Sequence, residues 1–170
     1  MRIVGGEWRG RQIKAPRGTS VRPTLDRVRE AWMSIVQLAL PGARVLDLFA
    51  GSGALGIEAL SRGAASADFV DSDSRSLTVV RSNLESLGAT DQSSVICSDA
   101  VDFAFGLPAD SYDVVFVDPP YASDASLRIA EIWLRSRFST LIGIEHSRSQ
   151  TMPEGGDTRR YGDSGVTFYR

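Results

Sequence analysis

Residues 44–63 read RVLDLFAGSGALGIEALSRG, and they decide the fold. The first six form an apolar strand interrupted by one acid, Asp47. The glycine run GSGALG, residues 51–56, follows at once. It leads into residues spaced for a helix, which Gly63 terminates. Strand, glycine turn and helix in that order open a βαβ unit. The alternation then continues. ADFVD (67–71) predicts a second strand, and SRSLTVVRSNLESLG (74–88) an amphipathic helix stopped by Gly88. SSVIC (93–97) is a third strand and YDVVFVD (112–118) a fourth. A helix is predicted over about 126–135, then a fifth strand over TLIGIEH (140–146). Two short strands near TRRYG and GVTFYR, separated by Asp163-Ser164, predict a closing antiparallel hairpin. Strands alternating with helices predict an α/β fold whose mostly parallel sheet is covered on both faces. Ligands of such sheets bind at the carboxyl ends of the strands, where strand order reverses.

Upstream of residue 44 the pattern differs. Residues 1–14 alternate as a β-hairpin, with Gly5, Gly6 and Gly10 at turn or bulge positions. APRGTSVRP (15–23) is loop-like. A helix capped by Thr24 then carries Val28, Trp32, Ile35, Val36 and Ala39 at helical spacing, ended by Pro41-Gly42. The predicted division is therefore a basic arm and linker over 1–23 and the main domain over 24–170.

Charge follows that division. The net charge is −2, but residues 1–30 hold eight Arg/Lys against Glu7, Asp26 and Glu30. The arm region is thus +5 and the rest −7, which points to a localised anionic partner. Trp8 is interleaved with these cations and either stacks on that partner or merely packs. No apolar run approaches membrane-spanning length. The opening MRIVGGEWRGRQIK has no hydrophobic signal core, so the expected location is the cytoplasm. The single cysteine, Cys97, is expected to be a small buried hydrophobe in the third strand. No Cys/His/carboxylate cluster has metal-ligand spacing, and no metal is expected. His146, the only histidine, is expected to be structural or RNA-facing.

GSGALG matches GxGxxG, a signal shared by dinucleotide and S-adenosylmethionine enzymes. Asp71, twenty residues after Gly51, is placed to accept from ribose hydroxyls in either case. Three details separate them. Asp47 sits inside the strand before the loop, which suits a cationic sulfonium better than a pyrophosphate. Ser98-Asp99-Ala100 ends the third strand, where Asp99 can accept from an adenine amine. DPPY (118–121) ends the fourth, and no hydride transfer requires it.

VLDLFAGSGALGIEAL followed by VDSD, SDA and FVDPPY resembles the class I S-adenosylmethionine-dependent methyltransferases. The front narrows this. IVGGEWRGRQIKAP and VRPTLDRVREAWMSIV, with the closing YGDSGVTFYR, resemble the RsmD family of 16S rRNA (guanine-N2)-methyltransferases. The resemblance implies a Rossmann-like domain with a seven-stranded sheet and an antiparallel C-terminal strand. It implies methyl transfer from S-adenosylmethionine to the N2 amine of a guanine in 16S rRNA, at the guanine-966 site, on the small subunit or its assembly intermediate. By that resemblance Asp118, Pro119, Pro120 and Tyr121 form the target-amine site. Asp47, Phe49, Gly51 and Gly53 lie along the methionine part of the cofactor, Asp71 and Ser72 by its ribose, and Asp99 and Ala100 by its adenine. Trp8, Arg9, Arg11, Lys14, Arg22 and Arg27 face RNA.

The chemistry of DPPY fits that role. A base's exocyclic amine is a poor nucleophile because its lone pair is delocalised into the ring. A carboxylate and a carbonyl that accept its protons favour the tetrahedral amine, and an aromatic face holds the base. Adenine-N6 methylation uses the same groups and remains the alternative. An NAD-dependent oxidoreductase and a non-catalytic RNA-binding assembly factor are the readings from other classes. If arm and cofactor site are separate, deleting residues 1–14 leaves cofactor affinity unchanged and abolishes methylation. Isothermal titration beside a methyl-transfer assay checks this.

Overall fold

The computed structural model describes residues 1–16, 23–120 and 122–170, the side chains of 23–27 excepted. Arg22 and Tyr121, and the side chain of Arg27, lie outside the described residues. Seven strands make one sheet: β1 (Arg44–Leu48), β2 (Ser66–Asp71), β3 (Ser93–Cys97), β4 (Tyr112–Val117), β5 (Ser139–Ser147), β6 (Asp157–Tyr161) and β7 (Ser164–Tyr169). Their spatial order is β3-β2-β1-β4-β5-β7-β6. The pairs from β3 to β5 are parallel, while β7 runs antiparallel to both β5 and β6. This is the predicted α/β sheet with its antiparallel closing hairpin. The order reverses between β1 and β4, so a crevice opens beyond their carboxyl ends.

Five helices flank it: α1 (Pro23–Val36), α2 (Ala54–Ser61), α3 (Ser74–Leu87), α4 (Ala100–Phe105) and α5 (Ala125–Ser136). Residues 23 and 24 are both helical, so Thr24 lies in the first turn of α1 rather than capping it. Helix α3 is framed as its sequence dictates. The Asp73 carboxylate accepts from Arg75 N, and Gly88 closes the other end at a φ of 70°. Helix α4 is missing from the sequence reading. Six residues are too few for a 3.6-residue period to stand out, and Asp99, which caps it through Val101 N and Asp102 N, reads equally well as a ligand.

Side-chain alternation along the strands divides the core into two layers. Val45, Phe69, Val114, Phe116 and Leu141 point to one face, under α1, α2 and α3. Leu46, Leu48, Val70, Val115, Val117, Ile142 and Ile144 point to the other, under α4 and α5. On the first face Trp32 of α1 stands edge-on to Phe116 and Phe168, at centroid distances of 5.7 and 6.3 Å. Gly143 of β5 lies beneath it, and a Cβ there would fall 2.3 Å from the indole nitrogen. Helix α1 therefore lies as close to the sheet as backbone allows.

Cys97 is exposed, contrary to expectation. Strand β3 is a sheet edge, and its register carries Cys97 to the solvent side. The N-terminal hairpin is also reduced. Its only ladder contact is one antiparallel bridge, Arg2 to Gln12, supported by Ile3 N to Arg11 O and Gly10 N to Ile3 O. Beyond this short self-pairing the segment docks on the domain. Val4 N and Gly5 N donate to the Glu58 carboxylate, Trp8 N to Ser61 Oγ, and Lys14 N to Asn83 Oδ1. Ile3, Trp8 and Ile13 are buried in the first core layer.

Trp8 is 7% exposed, so of its two sequence-level roles the structure selects packing. Replacing it with alanine is expected to lower unfolding free energy by about 3–5 kcal/mol in urea denaturation. A change below about 1 kcal/mol, within the range of surface substitutions, would return Trp8 to the surface.

Candidate active site

Each central strand carries one acid at its carboxyl end, and alternation puts all four on the same sheet face. After Val45 comes Asp47, after Phe69 comes Asp71, after Phe116 comes Asp118, and on β5 Glu145 follows Gly143. An open cavity of about 340 Å³ lies there between α1 and the loop that joins β1 to α2. Asp47, Phe49, Gly51 and Ser52 line it from β1 and its loop. Asp118 and Glu145 line it from the neighbouring strands, and Arg29 and Trp32 from α1.

The glycine loop is held by carboxylates. Asp47 Oδ2 accepts from Gly56 N at 2.9 Å, and Asp71 Oδ2 accepts from Gly51 N at 2.9 Å. The other Asp71 oxygen accepts from Asp73 N at 2.9 Å. Gly51 and Gly53 sit at φ of 55° and 79°, a region closed to most side chains. Phe49 also has a positive φ, 62°, and no Cβ-free excuse for it. Strain at a bulky residue concentrates at binding sites, and this one turns the backbone toward the cavity.

The electrostatics follow from crowding. Burial pushes the Asp47 carboxyl up to about 7; the Gly56 amide opposes this and the Asp71 charge adds to it. Asp118 is open to the cavity yet deep in the cleft. Dehydration there raises its carboxyl well above the usual range, and the charge of Glu145, a hydrogen bond with Glu145 and the charge of Asp47 raise it further. A cavity with apolar walls and a cluster of acids suits an apolar ligand that carries a cation. A sulfonium with an adenosine attached fits both requirements. Arg29, 7% exposed and donating to Arg2 O at 3.0 Å, adds one guanidinium at the wall.

The sequence-selected residues divide into three groups. Asp47, Phe49, Gly51 and Asp118 meet at the cavity; Asp71 acts behind it through Gly51, and Gly53 starts α2. Pro119 is buried and Pro120 is exposed, its carbonyl accepting from Ser123 N at 3.1 Å. Ser72 is exposed, Asp99 is an exposed helix cap, and Ala100 is buried in the opposite core layer; none of the three lines this cavity. Arg9, Arg11 and Lys14 are exposed on the docked arm, with Arg11 donating to Ser86 O and Lys14 Nζ to Ser82 Oγ. His146 is 4% exposed, its ring nitrogens on Ser147 O and Thr167 Oγ1, which makes it structural.

Sequence reading assigns no site role to Glu145 or to Arg29. Period-two counting along β5 was the available signal for Glu145. Met1, Ala15 and Pro16 also line the cavity, so the arm forms part of its wall. Deleting 1–14 would remove part of that wall and three core side chains. No group of three His/Cys/Asp/Glu able to hold a metal occurs among the described residues, and no described helix is long and apolar enough to cross a membrane.

Solved structures extend the likeness. A Thermus thermophilus hypothetical protein superposes with a TM-score of 0.82 at 30% identity, covering 99% of this chain and 98% of its own. The T. thermophilus 16S rRNA N2 G1207 methyltransferase RsmC, solved with AdoMet and guanosine, shares the fold at a TM-score of 0.72 and 19% identity, over 99% of this chain and 48% of its own. The sheet order, glycine loop and acid-lined crevice define a class I, Rossmann-like methyltransferase, whose cofactor is S-adenosylmethionine. The family model described as conserved hypothetical protein 95 matches residues 1–170. The chain belongs to that family, the RsmD family. Two relatives are named ribosomal RNA small subunit methyltransferase D. The Haemophilus influenzae protein is 33% identical over 100% of this chain and 92% of its own. The Escherichia coli K12 protein is 43% identical over 71% of this chain and 60% of its own.

The Asp47 carboxyl binds a proton in the folded state that the unfolded chain releases near its ordinary value of 3.8. Its contribution to stability is full below that value and is lost as pH rises through about 7. Asp47→Asn is expected to flatten the decline of unfolding free energy across this window by up to about 4 kcal/mol. Parallel urea titrations of both proteins from pH 4 to 7.5 check it, and identical slopes would refute it.

Proposed function

We propose that the chain transfers a methyl group from S-adenosylmethionine to the exocyclic N2 amine of a guanine in 16S rRNA of the small ribosomal subunit. The observation that carries this reading is Asp118, first residue of the Asp118-Pro119-Pro120 segment at the carboxyl end of β4, lining the same cavity as the glycine loop. The names of the relatives supply the RNA class. The shape of the cleft and the acid on β4 supply the amine.

S-Adenosylmethionine brings an already activated methyl on a cationic sulfur, so no covalent enzyme intermediate is required. The protein's task is positioning. Asp118 accepts one proton of the amine, and the Pro119 carbonyl the other; this favours the tetrahedral nitrogen whose lone pair can attack. Pro120 holds the preceding residue extended, which fixes the direction of that carbonyl. Tyr121 is assigned the stacking face for the base. A base reaches the cleft only when it is out of its helix. Arg9, Arg11 and Lys14, exposed on the docked arm beside the cavity wall, contact phosphates. Adenine-N6 methylation satisfies the same acceptors, and the relatives' names favour ribosomal RNA without naming the base.

The test is transfer of radiolabelled methyl to unmodified small subunits, naked 16S RNA and duplex DNA in parallel. Label is expected in ribosomal RNA and, after digestion, in N2-methylguanosine. Asp118→Ala is expected to lower the rate by about 10²–10³-fold with cofactor affinity retained. Label in adenine or DNA would overturn the substrate and keep the chemistry.

A further inference from the structure

Asp118 has a partner that neither its motif nor its loop supplies. Strands β4 and β5 are parallel neighbours, with Val117 opposite Ile144. The next residue on each strand is an acid, so Asp118 and Glu145 leave the ladder side by side and on the same face. Their side chains are hydrogen-bonded to one another. Two carboxyl groups in that contact require a proton between them, because carboxylates only accept. Glu145 is 3% exposed, and its backbone is fixed from both sides: it pairs with Val166 of β7, and its carbonyl accepts from Ser126 Oγ at 2.7 Å. The backbone therefore cannot shift away to relieve the contact.

We propose that Glu145 is a positioning residue for methyl transfer: it shares one proton with Asp118, orienting that carboxyl group and leaving its second oxygen for the target amine. The inference rests on the amine-methylating reading above. The charged groups around the pair are Asp47 on β1, Asp73 ahead of α3 and Arg29 on α1. His146, next in sequence, is engaged with Thr167 and Ser147. The pair begins with one proton and a charge of −1. As the N–CH3 bond forms and the S–CH3 bond breaks, the sulfur becomes a neutral thioether and the amine a cation. That cation gives one proton to the Asp118 carboxylate. The pair then holds two protons and no charge, and one of them leaves to water.

The assignment predicts opposite limits on rate. At low pH both groups are protonated and Asp118 no longer accepts. At high pH the shared proton is lost, and two like charges push Asp118 out of line. The experiment compares wild type, Glu145→Gln and Glu145→Ala in kcat against pH, with thermal melts to confirm folding. Glutamine keeps a neutral donor that cannot titrate. Glu145→Gln is expected to retain activity within about tenfold of wild type while losing the alkaline fall, and Glu145→Ala to lose about a hundredfold, in the range for a positioned catalytic hydrogen bond. A purely structural Glu145 would lower the rate alike at all pH, so a Glu145→Gln profile of wild-type shape overturns the proposal.

A second readout needs no RNA. In an Asp47→Asn background, which removes the carboxyl that burial pushes up to about 7, infrared difference spectra at pH 7 should show one protonated carboxylic acid. It should vanish on adding Glu145→Gln or Asp118→Asn. Its absence from the Asp47→Asn parent overturns the shared proton. Its presence in a protein that methylates no RNA overturns the proposed function and leaves the carboxyl pair standing.

Discussion

Two hydrogen bonds from backbone amides to carboxylates, one buried and one half-buried, hold the crevice in shape. Asp47 takes the Gly56 amide and Asp71 takes the Gly51 amide, at 2.9 Å each. Between them they fix both ends of the glycine loop against adjacent strands. An acid in this place is costly, since burial alone pushes Asp47 toward neutrality. Of the two, Asp47 also lines the cavity, while Asp71 acts behind it through Gly51. The same carboxyl that holds the loop therefore also contributes to the polar part of the cavity wall.

Much of this was legible in the order of residues. The glycine loop, the alternation of strands and helices, and the acids at the ends of the first, second and fourth strands are local signals, and the structure has each at the predicted place. Signals that depend on neighbours in space were not legible. Helix α4 is one turn and a half, too short to show a period, and its cap looks like a ligand. Cys97 is apolar by type but sits on an edge strand, and edge position is a property of sheet order alone. Glu145 is one residue in a hydrophobic run. Its meaning appears only when β5 is set beside β4 in register.

The amino-terminal arm shows the same limit more sharply. Alternation and glycines suggested an independent hairpin. Its backbone amides are in fact satisfied by Glu58, Ser61 and Asn83, side chains 53 to 69 residues away. Glu58 is 1% exposed and lies within 3.0 Å of Arg62, so a buried carboxylate is neutralised jointly by an arginine and by two amides of the arm. The basic side chains of the arm stay outside while its backbone and apolar side chains go in. One segment thereby serves as core, as cavity wall and as a charged outer surface.

The place of β7 has a consequence for how the chain reaches this state. Strand β6 is made first but pairs only with β7, which lies between it and β5. During synthesis β6 has nothing to bond to, and β5 keeps an open edge, until residues 164–169 have appeared. The arm waits as well, since its amides are emitted long before α2 and α3. The arm's side of the crevice and the sheet edge beyond β5 are thus late events, completed only by later parts of the chain. Until then the chain is a half-built sheet with the β5 edge unpaired, a state in which assistance against aggregation matters most.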